Sequence, residues 1–307
     1  MRLSEIMLSG VKKLLDARGN IKSVLPSLSK YFVYTGLPRE ASGVIEESRP
    51  PQHWPSGGTI EFRDYSMRYR DSLECVLHGI SFTVGCNEKI GIVGRTGAGK
   101  SSLSYALLRI VEPASGAIFI DGVDISTIGL QDLRSKIGVI PQDPALFVGT
   151  IRDNLDPLNE FTDDEVWVAI RKGHIEDLVN PPTQTPSGGS MNSRQKAAGY
   201  GLSKWVEDGG KNFSVGQRQL VSLCRALLWK RKILILDEAT ANVDTKTDQI
   251  MQQVIREEFR DSTILTIAHR LRTVMDSDRI LVMDQGKVAE YDSPTNLLAQ
   301  NSLFKSL

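Results

Sequence analysis

Two stretches of this sequence carry residue types and spacings suited to phosphate chemistry. The first is Gly94-Arg95-Thr96-Gly97-Ala98-Gly99-Lys100-Ser101, with Ser102 directly after it. Glycines let a backbone curl until successive N–H groups face an anion, and a helix start adds its positive dipole end. Lys100 is then placed to reach β- and γ-phosphates, and the Ser101 hydroxyl to sit on Mg²⁺. The second stretch is Asp237-Glu238, two adjacent carboxylates at the end of an apolar run. Such a pair is costly unless a cation or a reaction uses it. Asp237 suits Mg²⁺ held through water, and Glu238 suits a general base that polarises an attacking water. The plainer readings are a chance match in a glycine-rich turn and a pair of helix-capping carboxylates; capping is compatible with catalysis. The chemistry expected is binding of a nucleoside triphosphate with Mg²⁺.

Regular elements must position these residues. Ile90-Gly91-Ile92-Val93 reads as a buried strand before the glycine loop, and Ser102 to Leu108 as the helix after it. Lys232 to Leu236, Ser262 to Ile267 and Arg279 to Met283 are continuous apolar runs with helical sequence between them. That alternation predicts a parallel α/β sheet. Thr59 to Tyr65 alternates as a strand, continued by Met67-Arg68-Tyr69, and Val76-Leu77 with Ile80 to Val84 reads as a strand pair. Ala117 to Ile120 ends at the turn pair Asp121-Gly122, so a smaller antiparallel layer is expected beside the main sheet. Ile137 to Pro141 is a further buried strand that leads into Gln142. From about 143 to 228 the sequence is mainly helical, interrupted over 181–203 by a polar segment with Arg194 and Lys196 but no acidic residue. That interruption is expected to be a disordered insertion, with a regulatory or docking segment as the alternative.

At 307 residues the chain can bury a sizeable core. Its 37 basic and 37 acidic residues balance, so net charge implies no polyanion partner and no nucleic acid. Cys75, Cys86 and Cys224 lack metal-ligand spacing and suit a reducing compartment. No apolar run approaches roughly 18 residues, so no membrane-crossing helix is expected. Residues 1–36 carry an amphipathic segment with Leu3, Ile6, Met7, Val11, Leu14 and Leu15 at helical spacing. Its stripe suits packing on a neighbour, or a membrane surface. Residues 37–56, rich in Pro, Glu, Arg and Ser, read as a linker, and 57–307 as the folded domain.

Taken in order, the motifs resemble those of the nucleotide-binding domain of ATP-binding-cassette (ABC) transporters. They are Gly94 to Ser101, Pro141-Gln142-Asp143-Pro144, Phe213-Ser214-Val215-Gly216-Gln217-Arg218-Gln219, Asp237-Glu238, Ala241-Asn242-Val243-Asp244 and Ala268-His269-Arg270. The resemblance implies a core with a parallel sheet, an antiparallel β-subdomain and an inserted helical subdomain. It implies ATP and Mg²⁺ as ligands. Tyr69 looks like the adenine-stacking aromatic, and Gln142 like the glutamine that contacts Mg²⁺ and the attacking water. His269 looks like the histidine that grips the γ-phosphate, and Asp244 like the loop aspartate at the interface of paired domains. Ser214, Gly216 and Gln217 look like the signature segment that faces ATP held by a second nucleotide-binding domain.

Phe213 and Val215 depart from that signature, where leucine and glycine are usual. With Gly149-Thr150-Ile151-Arg152-Asp153-Asn154-Leu155-Asp156-Pro157 and Trp54-Pro55-Ser56-Gly57-Gly58, they resemble the second domain of the C subfamily, the multidrug-resistance-associated proteins. The function implied is ATP hydrolysis that powers export of organic anions, conjugates or drugs. The partners implied are a second nucleotide-binding domain and transmembrane domains, reached through the face around Gln142 and Glu207. The site implied is the cytoplasmic face of a membrane. The alternatives are a channel-regulating module and an ABC protein without membrane partners.

Overall fold

The computed structural model describes residues 26, 28–37, 39–180, 200–239, 243–268 and 271–306. It divides into two compact units, residues 1–42 and 43–307. The expected amphipathic stripe near the N-terminus and residues 181–199 of the expected insertion lie outside the described residues. In the first unit, residues 28–35 are helical, with Tyr31, Phe32, Val33 and Tyr34 exposed.

In the larger unit a four-stranded antiparallel sheet runs in the order β2-β1-β4-β5. Its strands are β1 (Ile60–Met67), β2 (Leu77–Val84), β4 (Pro113–Ile120) and β5 (Val123–Asp124). Ile60 sits opposite Val84 on one side and Ile120 on the other. The strand pair expected over 76–84 is instead the single strand β2, which passes through Gly79 at φ +56 without ending. β1 stops at Met67, short of Tyr69. Within 43–56, part of the expected linker, Trp54 and Pro55 are buried. The Trp54 indole N–H donates to the Ile120 carbonyl at 2.9 Å, and the Asp121 carboxylate accepts from the N–H groups of Gly57, Gly58 and Thr59 at 2.8–3.1 Å.

The second sheet has six strands in the order β12-β11-β3-β10-β9-β6. They are β3 (Lys89–Val93), β6 (Ile137–Ile140), β9 (Ile233–Asp237), β10 (Thr263–Ile267), β11 (Arg279–Asp284) and β12 (Lys287–Asp292). All neighbours are parallel except β12, which returns antiparallel on β11. β12, with its partly buried alternation, was not marked by the apolar runs. A two-stranded ribbon joins β7 (Gly149–Thr150) to β8 (Trp205–Val206).

Alternation along β9 shows how the sheet is covered. Ile233 and Ile235 enter the core shared with the antiparallel sheet and with α1 (Lys100–Leu107). Leu234 and Leu236 enter a second core beneath the helical region. Successive strand residues face opposite sides, so a strand apolar at every position must be covered on both faces. The first core continues to α2 (Leu130–Arg134). The second holds α3 (Ile151–Leu155), α4 (Asp163–Lys172), α5 (Glu176–Val179), α6 (Val215–Trp229) and α7 (Thr245–Glu258). α8 (Leu271–Val274), α9 (Pro294–Ala299) and α10 (Leu303–Ser306) close a third cluster around Val282 and Phe304. Of residues 200–203, expected within a disordered insertion, Tyr200 and Ser203 are exposed, Gly201 and Leu202 are partly buried, and Gly201–Ser203 form a 3₁₀ turn. No described helix is long and apolar enough to cross a membrane.

Candidate functional site

Parallel strands deliver their following loops to one edge of the sheet, and ligands of open α/β sheets collect there. Here that edge carries the glycine loop after β3, Gln142 after β6 and Asp237-Glu238 at the end of β9. Gly94 has φ +149, and a β-carbon there would stand 2.2 Å from the Met283 carbonyl oxygen of β11. Gly97 has φ +82 with open space around it. The Ala98 N–H donates to the Arg95 carbonyl at 3.1 Å, and the Gly286 N–H donates to the Ala98 carbonyl at 3.1 Å. The loop is thereby tied to the β11–β12 turn.

Lys100 opens α1 behind Gly99 and is 5% exposed. Its ammonium donates to the carbonyls of Gly94 at 2.8 Å and Arg95 at 3.2 Å. Burial holds its pKa below the ordinary lysine value, opposed by the charges of Glu238 and Asp237. A cavity of about 400 Å³ opens beside it, lined by Tyr69, Thr96, Lys100, Ser101, Ser102 and Glu238. The Tyr69 hydroxyl lies 2.9 Å from the Ser102 hydroxyl, and its ring meets Tyr105 edge-on.

Glu238 reaches this cavity because its backbone is left-handed, φ +46, immediately after β9. Its N–H donates to the Ile267 carbonyl of β10 at 3.0 Å, which fixes the turn. The Gln142 amide donates to the Glu238 carboxylate at 2.8 Å. Gln142 is itself held from behind, since the Gln219 amide donates to the carbonyls of Pro141 at 3.1 Å and Gln142 at 2.7 Å. Ser101 lines the cavity with Lys100, the charge of Asp237 acts on that lysine, and Gln142 joins them through Glu238. Hydroxyl, carboxylate and amide oxygens are of the chemical type that Mg²⁺ takes. Among the described residues no cluster of three His, Cys, Asp or Glu forms a metal cage, and Mg²⁺ bound to phosphates needs none.

Ser214, Gly216, Gln217 and Asp244 gather at a second place. Ser214 caps α6: its hydroxyl accepts from the Gln217 N–H at 3.2 Å, and the Gln217 side chain accepts from the Ser214 N–H at 2.9 Å. This reciprocal box is the serine–x–x–glutamine signature of a helix start. Asp244 caps α7 through the Thr247 N–H at 3.0 Å. That bond, with the Thr247 hydroxyl, holds its carboxyl below the usual range against slight burial. A methyl at Gly216 would come 3.3 Å from Asp244 Oδ1, so the two helix starts adjoin. None of these four residues lines the cavity at Lys100. His269, and Asn242 of the loop before Asp244, lie outside the described residues.

Gln219 and Arg225 escaped the sequence reading as site residues. Gln219 is 1% exposed and shares a helical face with Gly216, Leu220 and Leu223, so a polar residue inside an apolar stripe was the available signal. Arg225 donates to the carbonyls of Asn154 and Ala145, and Asn154 clamps both backbone polar groups of Phe147. Nothing local in the sequence distinguishes that arginine from a surface residue.

Fold and site define an α/β nucleotide-binding domain of the phosphate-loop type. A sequence profile of the ABC transporter family matches residues 77–241, and the chain belongs to that family as its ATP-binding ATPase domain. Bile pigment transporter 1 of Saccharomyces cerevisiae is 50% identical over 289 residues, 94% of this chain and 18% of that protein. ATP-binding cassette sub-family C member 3 of Rattus norvegicus is 48% identical over 295 residues, 96% of this chain and 18% of that protein. The relatives are thus transporters of the C subfamily, and the chain spans less than a fifth of their length. A solved bacterial Atm1-family ABC exporter with ATP bound superposes with a TM-score of 0.79 at 30% identity, covering 93% of this chain and 47% of that one.

Proposed function

We propose that this domain hydrolyses ATP to power transmembrane export, with Glu238 as the general base. The observation that carries the reading is the Glu238 carboxylate itself. It shares one cavity with Lys100 and Ser101, is aimed there by left-handed backbone, and is held by Gln142. A carboxylate so placed accepts the proton of a water as it attacks the γ-phosphate. Lys100 offsets charge on the β- and γ-phosphates, and the loop N–H groups orient them. Tyr69 stacks on the adenine, and His269 orients the attacking water. Ser101, Gln142 and Asp237 would hold Mg²⁺, which when bound would neutralise charge on the phosphate oxygens. Ser214, Gly216, Gln217 and Asp244 act on ATP held by a second nucleotide-binding domain. Their separation from the Lys100 cavity supports that division of labour. ATP touching both domains only when they are closed shifts the pair toward closure, and hydrolysis releases it.

The cargo reading is organic anions, conjugates or drugs, moved by transmembrane domains that this domain drives from the cytoplasmic face. The bile pigment transporter of Saccharomyces cerevisiae and the bacterial exporter that shares this fold support an export function. Glu238→Gln should leave ATP binding intact and lower turnover by about 10²–10⁴-fold, the usual contribution of a general base. Near-normal hydrolysis by that variant overturns the assignment. Lys100→Ala should instead lose ATP affinity in a direct binding titration. Carbonate extraction of source-cell membranes, probed with an antibody to residues 183–203, should leave the antigen in the membrane fraction. Antigen found only in the soluble fraction sinks the exporter reading.

A further inference from the structure

β6 ends the six-stranded sheet, so one of its edges has no strand partner among the described residues. A cavity of about 280 Å³ opens there, lined by Arg134, Val139, Arg225, Trp229 and Arg231. It shares no lining residue with the cavity at Lys100. The Arg231 guanidinium lies 4.6 Å over the Trp229 ring and makes no hydrogen bond with a described residue. Arg225 uses Nε, one N–H of Nη1 and one of Nη2 on Asn154 and Ala145, which leaves donors on both terminal nitrogens. Arg134 stands on the third side, donating to the carbonyls of Leu108 and Arg109. Burial lowers the pKa of Arg225, and it lowers that of Arg231 against the opposing charge of Glu160, which lies exposed. Partly buried cations of one sign raise the local potential and favour an anion between them.

We propose that this cavity is an oxyanion site whose ligand is a phosphate group gripped by the guanidinium groups of Arg225 and Arg231. The planar fork of arginine matches two phosphate oxygens at once, which a lysine does not. The cavity of about 280 Å³ has room for a phosphate group between the two guanidinium groups. The phosphate is either free or carried on an extended peptide laid beside the open edge of β6, a mode in which main-chain bonds add to the anion contact.

The test is titration of inorganic phosphate into the full chain at constant ionic strength, with ADP saturating the glycine loop. Trp229 provides the fluorescence signal, assigned by its loss in Trp229→Phe. A saturable change is expected. Arg231→Gln should weaken it by about tenfold or more, the scale of one charge-assisted contact, while Lys100→Ala leaves it unchanged. Arg231→Lys, which keeps the charge and so guards against a folding artefact, should also weaken binding because the fork is lost. A phosphoserine peptide that binds at least about tenfold tighter than phosphate identifies a peptide source, and equal affinities identify the free anion. The proposal is overturned by a non-saturating response, by unchanged affinity in both Arg231 variants, or by loss of the signal in Lys100→Ala.

Discussion

Tyr65 places a hydroxyl inside the first core, 2% exposed, with its ring edge-on to Phe62 at 5.7 Å. That hydroxyl has no hydrogen-bond partner among the described residues. Burial, helped by the charge of Glu112 and opposed by Arg109, pushes the phenol pKa up, so it stays neutral. An unmet buried hydroxyl costs about 1–3 kcal/mol, so Tyr65→Phe should leave stability unchanged or raise it. Urea unfolding checks this, and a loss above about 1 kcal/mol would show that the hydroxyl is bonded. Glu238 is strained for a different reason. A non-glycine residue in left-handed backbone costs on the order of 1–3 kcal/mol, and here the neighbouring strand β10 holds it in place. The strain is what turns a strand-end carboxylate into the cavity.

At the scale of elements, the glycine loop separates two demands that the sequence presents as one. Gly97 needs only its positive φ, with no atom within reach of a β-carbon. Gly94 needs space as well, because β11 runs against it. Gly97→Ala should therefore cost about 1–2 kcal/mol of backbone strain. Gly94→Ala should cost more, since the carbonyl of Met283 must move and overpacking adds about 1–3 kcal/mol. Thermal unfolding of the two variants checks the order, and equal losses would refute the crowding at β11. Helix α6 links the two chemical places: Ser214 starts it at the signature segment, and Gln219, one turn on, holds the backbone of Gln142. Its next contacts, through Arg225, brace the loop that presents the exposed Phe147 and Val148.

Over the whole larger unit, acid stability should be set by carboxylates that fasten segments together. Burial pushes Asp121 up, but bonds from Thr59, Gly58 and Gly57 outweigh it and hold the carboxyl below its usual range. Burial likewise raises Asp156, and the N–H groups of Phe161 and Glu160 with the Arg152 guanidinium bring it down overall. A depressed folded pKa gives stability that is present above the unfolded value, about 3.9 for aspartate, and is lost as pH falls through the folded value. Stability should therefore fall below about pH 4. Asp121→Asn or Asp156→Asn should flatten that acid limb in denaturant unfolding followed against pH. A limb as steep as in the parent chain would show that neither carboxylate is linked to folding.

What the sequence determined by itself is what a short stretch of chain can encode. The strand–glycine loop–helix from Ile90 to Leu108 was legible because loop curvature and burial period act within a few residues, whereas the reciprocal bonds of Ser214 and Gln217 emerge from the structure. β2 was read as two strands because a glycine looks like a break until its neighbours are seen to pair across it. The weakly apolar β12 gave no run to read, because none of its residues is fully buried and its faces stay partly open to solvent. Only the tertiary structure decided which distant residues meet. Gln142 and Glu238 stand 96 residues apart and share a hydrogen bond, and Asp121 gathers Gly57 to Thr59 from more than 60 residues away. Those meetings follow from strand order in the sheets, and strand order is set by packing of whole faces rather than by any local pattern.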